Sequence, residues 1–308
     1  MENMLDEATQ SRLLKPRKAG VAFLLSLLVP GLGQVYNGRL KKGATLLGLI
    51  LLTIFLFGLM RWAIYFEGFV ALISIILAVR IYIIIDAVRE AKRQKEYYLK
   101  PYNTWYYHAA IAVILMLISW GLNFQNILGI KIFETPTSSS MPTIQVGDWF
   151  VADIRAYKNE NPTYGDIVIF EGPESSIYTF RVVALPGDEI EIIDNIVSIN
   201  GKLCHNQHIR DTTCFDFPVS EYTEELPNNC IYSIYKTLNI DKIRDYFSKA
   251  NVPMTQVPEN SYFVLGDHRD NAQDSRYLGF INKEKIFGKV RYTVWGKTAN
   301  RMNINFCN

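Results

Sequence analysis

Long apolar runs dominate the first 125 or so residues, and they constrain the fold more than any other feature of the sequence. The runs over 43–66 and 68–87 carry the cations Arg61 and Arg80 toward their ends, where a long side chain can reach the membrane surface. About 20 apolar residues are enough to cross a bilayer as a helix. We therefore predict a helical hairpin over 43–66 and 68–87, a transmembrane anchor over 105–126, and the lipid bilayer as a partner.

A shorter apolar stretch precedes this hairpin. Residues 20–29 are too few to span a bilayer and are followed by Pro30, so residues 20–36 are predicted to form a short interfacial or re-entrant helix. A charged start before an apolar core is also typical of a cleavable signal peptide, but this segment leads directly into further membrane helices. The run from Pro30 to Gly38 resembles a small two-helix, TM2-like membrane module, which implies no known chemistry. Residues 1–104 are thus predicted to form a membrane module.

Basic residues set the predicted orientation. They cluster before and after the hairpin, in loops over 39–42 and 89–100. Lys and Arg accumulate in cytoplasmic loops, so both loops are predicted to face the cytoplasm. The anchor over 105–126 then starts inside and ends outside, which predicts that residues 127–308 are extracytoplasmic.

Composition excludes nucleic acid from the predicted partners and gives little sign of a metal. The net charge is only +2, and the chain has no Lys- or Arg-rich block. Of four cysteines, Cys204, Cys214 and Cys230 lie close together, and an oxidising compartment favours one disulfide, for which the first two are nearest in sequence. Spacing leaves the pairing open. His205 and His208 flank Cys204 but make only a weak metal-ligand cluster, so structural cysteines are favoured and no metal or cofactor is predicted.

Residues 127–308 alternate apolar and polar side chains as strands do, in segments bounded by Gly, Pro, Asn or Asp. Only residues 241–249 carry a comparable helical pattern. We therefore predict a mainly β domain built from coiled, barrel-like sheets. The predicted strands cover residues 149–154, 166–170, 178–184, 189–193, 196–199, 262–265 and 288–294.

The stretch from Pro136 to Asp148 joins the last membrane segment to this domain. It contains three consecutive serines, Ser138 to Ser140, between two prolines, which would place a hydroxyl on a stiff, exposed turn. A hydroxyl in that position can act as a nucleophile. The same residues can also be interpreted as a hydroxyl-rich linker between membrane and domain.

Four blocks of the domain resemble the type I signal peptidases (leader peptidases) of bacteria, which are membrane-anchored serine endopeptidases that remove signal peptides from exported proteins. The resemblance covers residues 132–295, with the blocks in the family's order. It implies a signal-peptidase-like β fold in a multi-pass protein of the bacterial cytoplasmic (inner) membrane. It also implies that signal peptides of exported preproteins, or another extended apolar peptide, are partners. The blocks are residues 136–148, 164–170, 181–188 and 257–279.

In this family the nucleophilic serine is followed by Met, any residue, Pro and Thr. An alignment without a gap puts Ser139 at that position, whereas Ser140, next to Met141, needs a one-residue deletion and is the second choice. Thr137 aligns with a hydroxyl residue that stabilises the oxyanion together with the backbone N–H of the nucleophile, here Ser139. Four charged residues correspond to supporting positions, namely Arg181, Asp267, Asp274 and Arg276.

The family's general base is missing from its expected place. That base is a buried lysine immediately before the Arg-Val pair, and its neutral amine takes the serine proton. Here the position holds Phe180, and the serine that normally orients the lysine is Ala272. A positioned general base is worth roughly 10²- to 10⁴-fold in rate. The resemblance therefore implies a serine endopeptidase whose activity is weak or absent.

Two hypotheses follow. In the first, another base substitutes, with His268, Lys158 and Lys202 as candidates, although a turn histidine more often faces solvent or pairs with a carboxylate. In the second, the protein is a non-catalytic paralogue that binds an extended peptide by strand addition, as an adaptor or assembly factor. Three positions are replaced together: the lysine, its partner serine and the methionine after the nucleophile. This joint replacement favours the second hypothesis as the mechanism. Family resemblance favours signal peptidase as the general description.

Overall fold

The structure is a computed structural model that describes residues 16–99, 101–238 and 251–307. The chain forms two compact units, a helical one and a β-rich one, and the main division between them falls between Leu128 and Gly129. The helix predicted over 241–249 lies outside the described residues. The helices of the first unit are α1 (Ala19–Leu28), α2 (Leu32–Tyr36), α3 (Leu40–Leu59), α4 (Phe66–Arg93), α5 (Trp105–Gly121) and α6 (Phe124–Leu128).

Two of these helices, α3 and α4, are long and apolar enough to cross a membrane, with 20 and 28 residues. They correspond to the predicted hairpin, although α4 continues past the apolar run into the basic segment that ends at Arg93. A helix satisfies its backbone hydrogen bonds internally, which hydrocarbon requires. The predicted anchor contains α5, whose 17 residues lie at the short end of the range that spans a bilayer.

The segment before α3 is broken into two short helices, and its sequence explains the break. Gly31 has a φ of +90°, and a Cβ added there would lie 2.4 Å from the backbone oxygen of Gly43, so the turn needs glycine. Gln34 Nε2 donates to the Ile83 carbonyl and Asn37 Nδ2 to the Ala87 carbonyl, both at 2.8 Å. The buried amides of the TM2-like run therefore attach α2 to α4.

The second unit contains all seven predicted strands, shifted by at most two residues at their ends, and the predicted fold class is confirmed. The largest sheet has the order β1-β2-β14-β3-β4-β12-β13, and two smaller sheets have the orders β10-β9-β8 and β11-β5-β6-β7. None of these sheets closes on itself in the described residues, so the expected barrel-like form is wrong. The strands are β1 (Ile130–Glu134), β2 (Trp149–Asp153), β3 (Ile167–Glu171), β4 (Ile177–Ala184), β5 (Glu189–Ile193), β6 (Ile196–Ile199), β7 (Lys202–Leu203), β8 (Asn206–Cys214), β9 (Phe217–Glu225), β10 (Ile231–Thr237), β11 (Val252–Gln256), β12 (Ser261–Leu265), β13 (Ile281–Asn282) and β14 (Ile286–Trp295).

The core of the β unit lies on both faces of the central strands. All five residues of β12 and four of the five in β3 are buried, as expected of strands covered on both sides. β3 and β4 are antiparallel, with Val168 opposite Phe180 and Ile167 opposite Arg181. β12 pairs with the other edge of β4, where Leu265 is opposite Arg181. This pairing brings the end of β12 next to the middle of β4, where the candidate site lies.

One disulfide joins Cys230 to Cys307, and it does not involve Cys204 and Cys214, the pair nearest in sequence. The bonded residues are separated by 77 positions, but the fold brings their Cα atoms to 5.0 Å. Cys204 and Cys214 are free and buried. Cys214 packs with Met141 instead, at 3.7 Å between the two sulfurs. Sequence spacing failed because the C-terminal segment returns to the start of β10.

Candidate active site

A cavity of about 380 Å³ lies where the segment after β1 passes the start of β4 and the turn after β12. The segment forms a closed loop, because Thr135 N donates to the Asp148 carbonyl and Gly147 N donates to the Thr135 carbonyl, at 2.9 and 2.8 Å. Several residues singled out from the sequence line the cavity, together with Tyr178 and Gln273. Those predicted residues are Thr137, Ser139, Ser140 and Phe180.

The neighbouring serine hydroxyls differ in their surroundings. Ser139 Oγ lies 3.4 Å from Thr137 Oγ1, so the hydroxyl expected to act as nucleophile and the hydroxyl expected at the oxyanion position are adjacent. Ser140 is buried, and its Oγ donates to the Thr179 carbonyl at 2.9 Å. Because that hydrogen bond engages the Ser140 proton with the backbone, the geometry favours Ser139 over Ser140 as the nucleophile.

Gly266, immediately after β12, marks the point where three predicted positions meet. A Cβ built on Gly266 would lie 2.3 Å from Ala272 Cβ, 2.8 Å from the Ser139 carbonyl oxygen and 3.3 Å from the Phe180 ring. The fold therefore brings together the residues that align with the nucleophile, the lysine and the lysine-orienting serine. Only glycine leaves space for this approach of backbone and side chains.

Phe180 occupies its position as a core residue. The side chain is 4% exposed, and its ring centroid lies 6.1 Å from that of Phe170 and 5.9 Å from that of Tyr178. Ala272 belongs to the same apolar cluster. Neither a phenyl ring nor a methyl group accepts a proton, so Phe180 and Ala272 supply packing in place of proton transfer.

No lysine or histidine nitrogen hydrogen-bonds to Ser139 Oγ or Ser140 Oγ within residues 16–99, 101–238 and 251–307. Lys158 and Lys202, two candidates for a substitute base, have exposed side chains on the surface of the β unit. The general base of a serine–lysine pair is a buried lysine, whose neutral amine takes the serine proton. Neither lysine therefore has the environment of a general base.

His268, the third candidate, is buried, so the expectation that this turn residue faces solvent is wrong. Its backbone N donates to the Ser139 carbonyl at 3.1 Å, while its ring packs perpendicular to Tyr235 at 5.8 Å between centroids. Burial lowers the pKa of His268 to about 4, and the Asp270 charge and a hydrogen bond to the Ser138 backbone oppose that shift only in part. The imidazole is neutral at pH 7 but a weak base, and its described contacts are with Tyr235 and Ser138.

The four supporting residues form two buried ion pairs beside the cavity. Arg181 makes a bidentate contact with Asp267, at 2.9 and 2.8 Å, with both side chains at most 3% exposed. Arg276 does the same with Asp274, at 2.8 Å for each oxygen, and Asp274 Oδ2 also accepts from Gly266 N at 2.9 Å. Because bidentate geometry fixes orientation as well as charge, the Arg181–Asp267 pair holds the turn after β12 against β4. The Arg276–Asp274 pair is attached to the start of the same turn at Gly266.

A third buried ion pair was not predicted from the sequence. Arg269 binds Glu224 of β9, and its Nη2 also donates to Tyr232 OH at 2.9 Å. Burial opposes ionisation of Glu224, but the Arg269 guanidinium outweighs burial and holds the pKa of that carboxyl below its usual value. Arg269 lies in a matched block, whereas Glu224 lies in a segment without a family motif. One of three glutamates in a polar strand carries no sequence signal for such a contact.

Comparison with known proteins shows the family to which the chain belongs. The family model described as signal peptidase, peptidase S26 matches residues 102–295. A signal peptidase I from Buchnera aphidicola is 31% identical over 217 residues, which cover 56% of this chain and 69% of that protein. A probable signal peptidase I-2 from Synechocystis sp. is 26% identical, covering 68% of this chain and 81% of that protein.

Relatives and solved structures carry the same description. A signal peptidase I from Rickettsia akari is 30% identical, with 63% of this chain and 79% of that protein covered. A crystal structure of a signal peptidase I from Enterococcus faecalis V583 aligns with 42% of this chain and 97% of that chain, at 27% identity and a TM-score of 0.26. With its two long apolar helices, the chain is a membrane-anchored protein that belongs to the signal peptidase, peptidase S26 family.

Proposed function

We propose that this protein binds signal peptides of exported preproteins, or another extended apolar peptide, and does not cleave them at a useful rate. The observation that carries the proposal is the arrangement around Gly266, where Phe180, Ala272 and the Ser139 carbonyl all approach the same glycine. Phe180 and Ala272 are both apolar, so neither can take or relay the serine proton. In the type I signal peptidases that the sequence resembles, these positions hold the lysine base and the serine that orients it.

Loss of the general base lowers the rate of cleavage by a factor that can be bounded. A serine hydroxyl without a positioned base loses roughly 10²- to 10⁴-fold in rate. What remains in a triad-type enzyme without its catalytic unit is on the order of 10³ to 10⁴ over the reaction in water, from oxyanion stabilisation and binding. Thr137 and Ser139 keep the adjacency that oxyanion stabilisation needs. The site can therefore hold a peptide carbonyl while lacking the group that makes the hydroxyl reactive.

Peptide binding is supported by the partly apolar cavity and by the edge strand next to it. β1 is an edge strand of the large sheet, and Phe133 and Glu134 at its end border the cavity. An extended peptide can add to such an edge through main-chain hydrogen bonds while its side chains enter the cavity. Half of the residues that line the cavity are apolar or aromatic, namely Phe133, Pro136, Ile144, Phe150, Ile177, Tyr178 and Phe180.

We further propose a multi-pass protein in the bacterial inner membrane, with the β unit on the extracytoplasmic side. The support is the placement of Lys and Arg in the segments over 39–42, where α3 begins, and 89–100, where α4 ends. Exported preproteins present their signal peptides to the outer leaflet and the extracytoplasmic space. The proposed orientation therefore puts the cavity on the side where such peptides emerge.

The test uses the purified full chain in lipid nanodiscs and a fluorescein-labelled signal peptide. Fluorescence anisotropy should detect saturable binding, and mass spectrometry should detect no cleavage. The double variant Phe180→Lys with Ala272→Ser should recover cleavage, because a buried lysine has a lowered pKa and can act as a base. The matched control adds Ser139→Ala to the double variant and should be inactive again. Robust cleavage by the unmodified chain contradicts the proposal, as does an absence of binding.

A further inference from the structure

The C-terminal segment over 296–307 lies beyond the residues that match the family, and it contacts the loop that carries Ser139. We name this segment the C-terminal strap. Its anchor at one end is the disulfide between Cys230 and Cys307. Its other end continues from β14 through a tight turn at Gly296, where an added Cβ would lie 2.5 Å from Asp148 Oδ1. The strap thus runs from the large sheet to the start of β10 and passes the Ser139 loop.

Arg301 is the strap's principal contact with that loop. Its Nη2 lies 2.5 Å from Asp148 Oδ2 and donates to the Thr143 carbonyl at 2.7 Å, and its Nε donates to the same carboxylate at 3.1 Å. Asp148 is 1% exposed, and its Oδ2 also accepts from Gln145 N at 2.8 Å. A charge-assisted contact to a buried carboxylate is costly to break, because the carboxylate is then left without its cation.

The carboxylate in turn fixes the loop's closure. The Asp148 carbonyl accepts from Thr135 N, and the next residue inward, Gly147, donates to the Thr135 carbonyl. Ser139 lies within this closed loop, between the two ends that Asp148 and Thr135 join. Arg301 therefore acts on the position of Ser139 through Asp148, as a positioning residue that does not itself line the cavity.

The far end of the strap is attached to the same region. Arg181 Nη1 donates to the Phe306 carbonyl at 2.7 Å, and the Phe306 ring packs on the apolar cluster that contains Ile144 of the Ser139 loop. Cys307 follows directly and forms the disulfide, which is the strap's one covalent attachment in the described residues. C-terminal segments are poorly ordered unless they are tied down. The covalent bond therefore keeps the strap's non-covalent contacts in place.

We propose that the strap is a disulfide-dependent latch for the Ser139 loop, so that opening Cys230–Cys307 loosens residues 135–148 and weakens peptide binding in the cavity. The opening reaction is exchange with a dithiol reductant. One thiolate of the dithiol attacks a sulfur of the disulfide to form a mixed disulfide and release one cysteine thiolate. The second thiol then resolves it, leaving two cysteine thiols and the oxidised dithiol. Cys307 is partly exposed, so the reductant has access from that side.

The loosening itself is independent of the function proposed above, whereas the effect on peptide binding rests on it. Hydrogen–deuterium exchange of the full chain in nanodiscs separates the two, because it reports loop opening without a peptide. The forms compared are the oxidised chain, the chain treated with dithiothreitol, and the double variant Cys230→Ser with Cys307→Ser. Amides over 135–148 should exchange about tenfold faster when the disulfide is open, as expected for loss of one charge-assisted contact. Amides of β3 should keep their protection.

Two further variants keep the test decisive. Arg301→Gln leaves the disulfide closed and should also accelerate exchange over 135–148, whereas Cys204→Ser, which removes a buried free thiol, should not. The labelled signal peptide should bind about tenfold more weakly to each form with a loosened loop. Unchanged amide exchange over 135–148 overturns the proposal. Equal acceleration of exchange in β3 also overturns it, because the disulfide would then stabilise the whole β unit and not the loop in particular. Loop opening without peptide binding by any form supports the latch and overturns the proposed function.

Discussion

His268 gives a prediction whose magnitude follows from its burial. The pKa of His268 is about 4 in the folded chain because of burial, against about 6.5 for an unperturbed histidine. Between these values the unfolded chain binds a proton that the folded chain does not. The buried, neutral imidazole of His268 therefore contributes fully to the free energy of unfolding above pH 6.5, and this contribution is lost as the pH falls toward 4. At pH 4.5 the loss is about 2–3 kcal/mol for this single group.

The change His268→Asn removes the titrating group and should remove this part of the pH dependence. The assay is thermal unfolding of the full chain in detergent, followed by the β-sheet circular dichroism signal at pH 7.0 and pH 4.5. The drop in Tm between the two pH values should be smaller in the variant by about 5–10 °C, given about 2–4 °C per kcal/mol for a unit of this size. The control is His205→Asn, since His205 is exposed. An equal drop in His268→Asn and the original chain would refute the assigned burial and neutrality of the imidazole.

Three other predictions concern the framework of the site. Arg269→Gln leaves the carboxylate of Glu224 buried without its cation and should lower the free energy of unfolding by about 3–5 kcal/mol, measured by denaturant titration. Gly266→Ala should destabilise the fold and displace the cavity wall, because the new Cβ would lie 2.3 Å from a neighbouring Cβ, and its Tm should fall below that of the original chain. Non-reducing peptide mapping should find the disulfide between Cys230 and Cys307, and a bond between any other pair contradicts the fold described here.

The sequence was sufficient to predict strands and candidate positions where a regular apolar pattern or a family block marked the residues. The seven predicted strands contribute to the central core, so burial imposes a regular apolar pattern on them. Seven strands were not predicted, and five of these, β7 to β11, belong to the two smaller sheets. β8 (Asn206–Cys214) is exposed along most of its length, so its side chains follow no two-residue alternation that could indicate a strand.

The candidate site was predictable as a set of positions but not as an arrangement of contacts. Alignment without a gap indicated Ser139, and its partners Phe180 and Ala272 meet it around Gly266. The buried state of His268 could not be predicted, because it depends on β10 packing over the turn. The Arg301 contact could not be predicted either, since it joins residues 153 positions apart and belongs to no motif. Local sequence carries propensity and pattern, whereas these contacts depend on tertiary packing.

The proposed function depends on Ser139 Oγ having no proton acceptor beside it in the described part of the chain. The most direct measurement compares the unmodified full chain with Ser139→Ala in a prolonged cleavage assay, using a signal-peptide substrate and mass spectrometry to locate any cut. We expect the unmodified chain and Ser139→Ala to release the same amount of cleaved product, and no more than the substrate releases without protein. Cleavage at a single site by the unmodified chain, lost in Ser139→Ala, would contradict the account and require a base that acts at this serine.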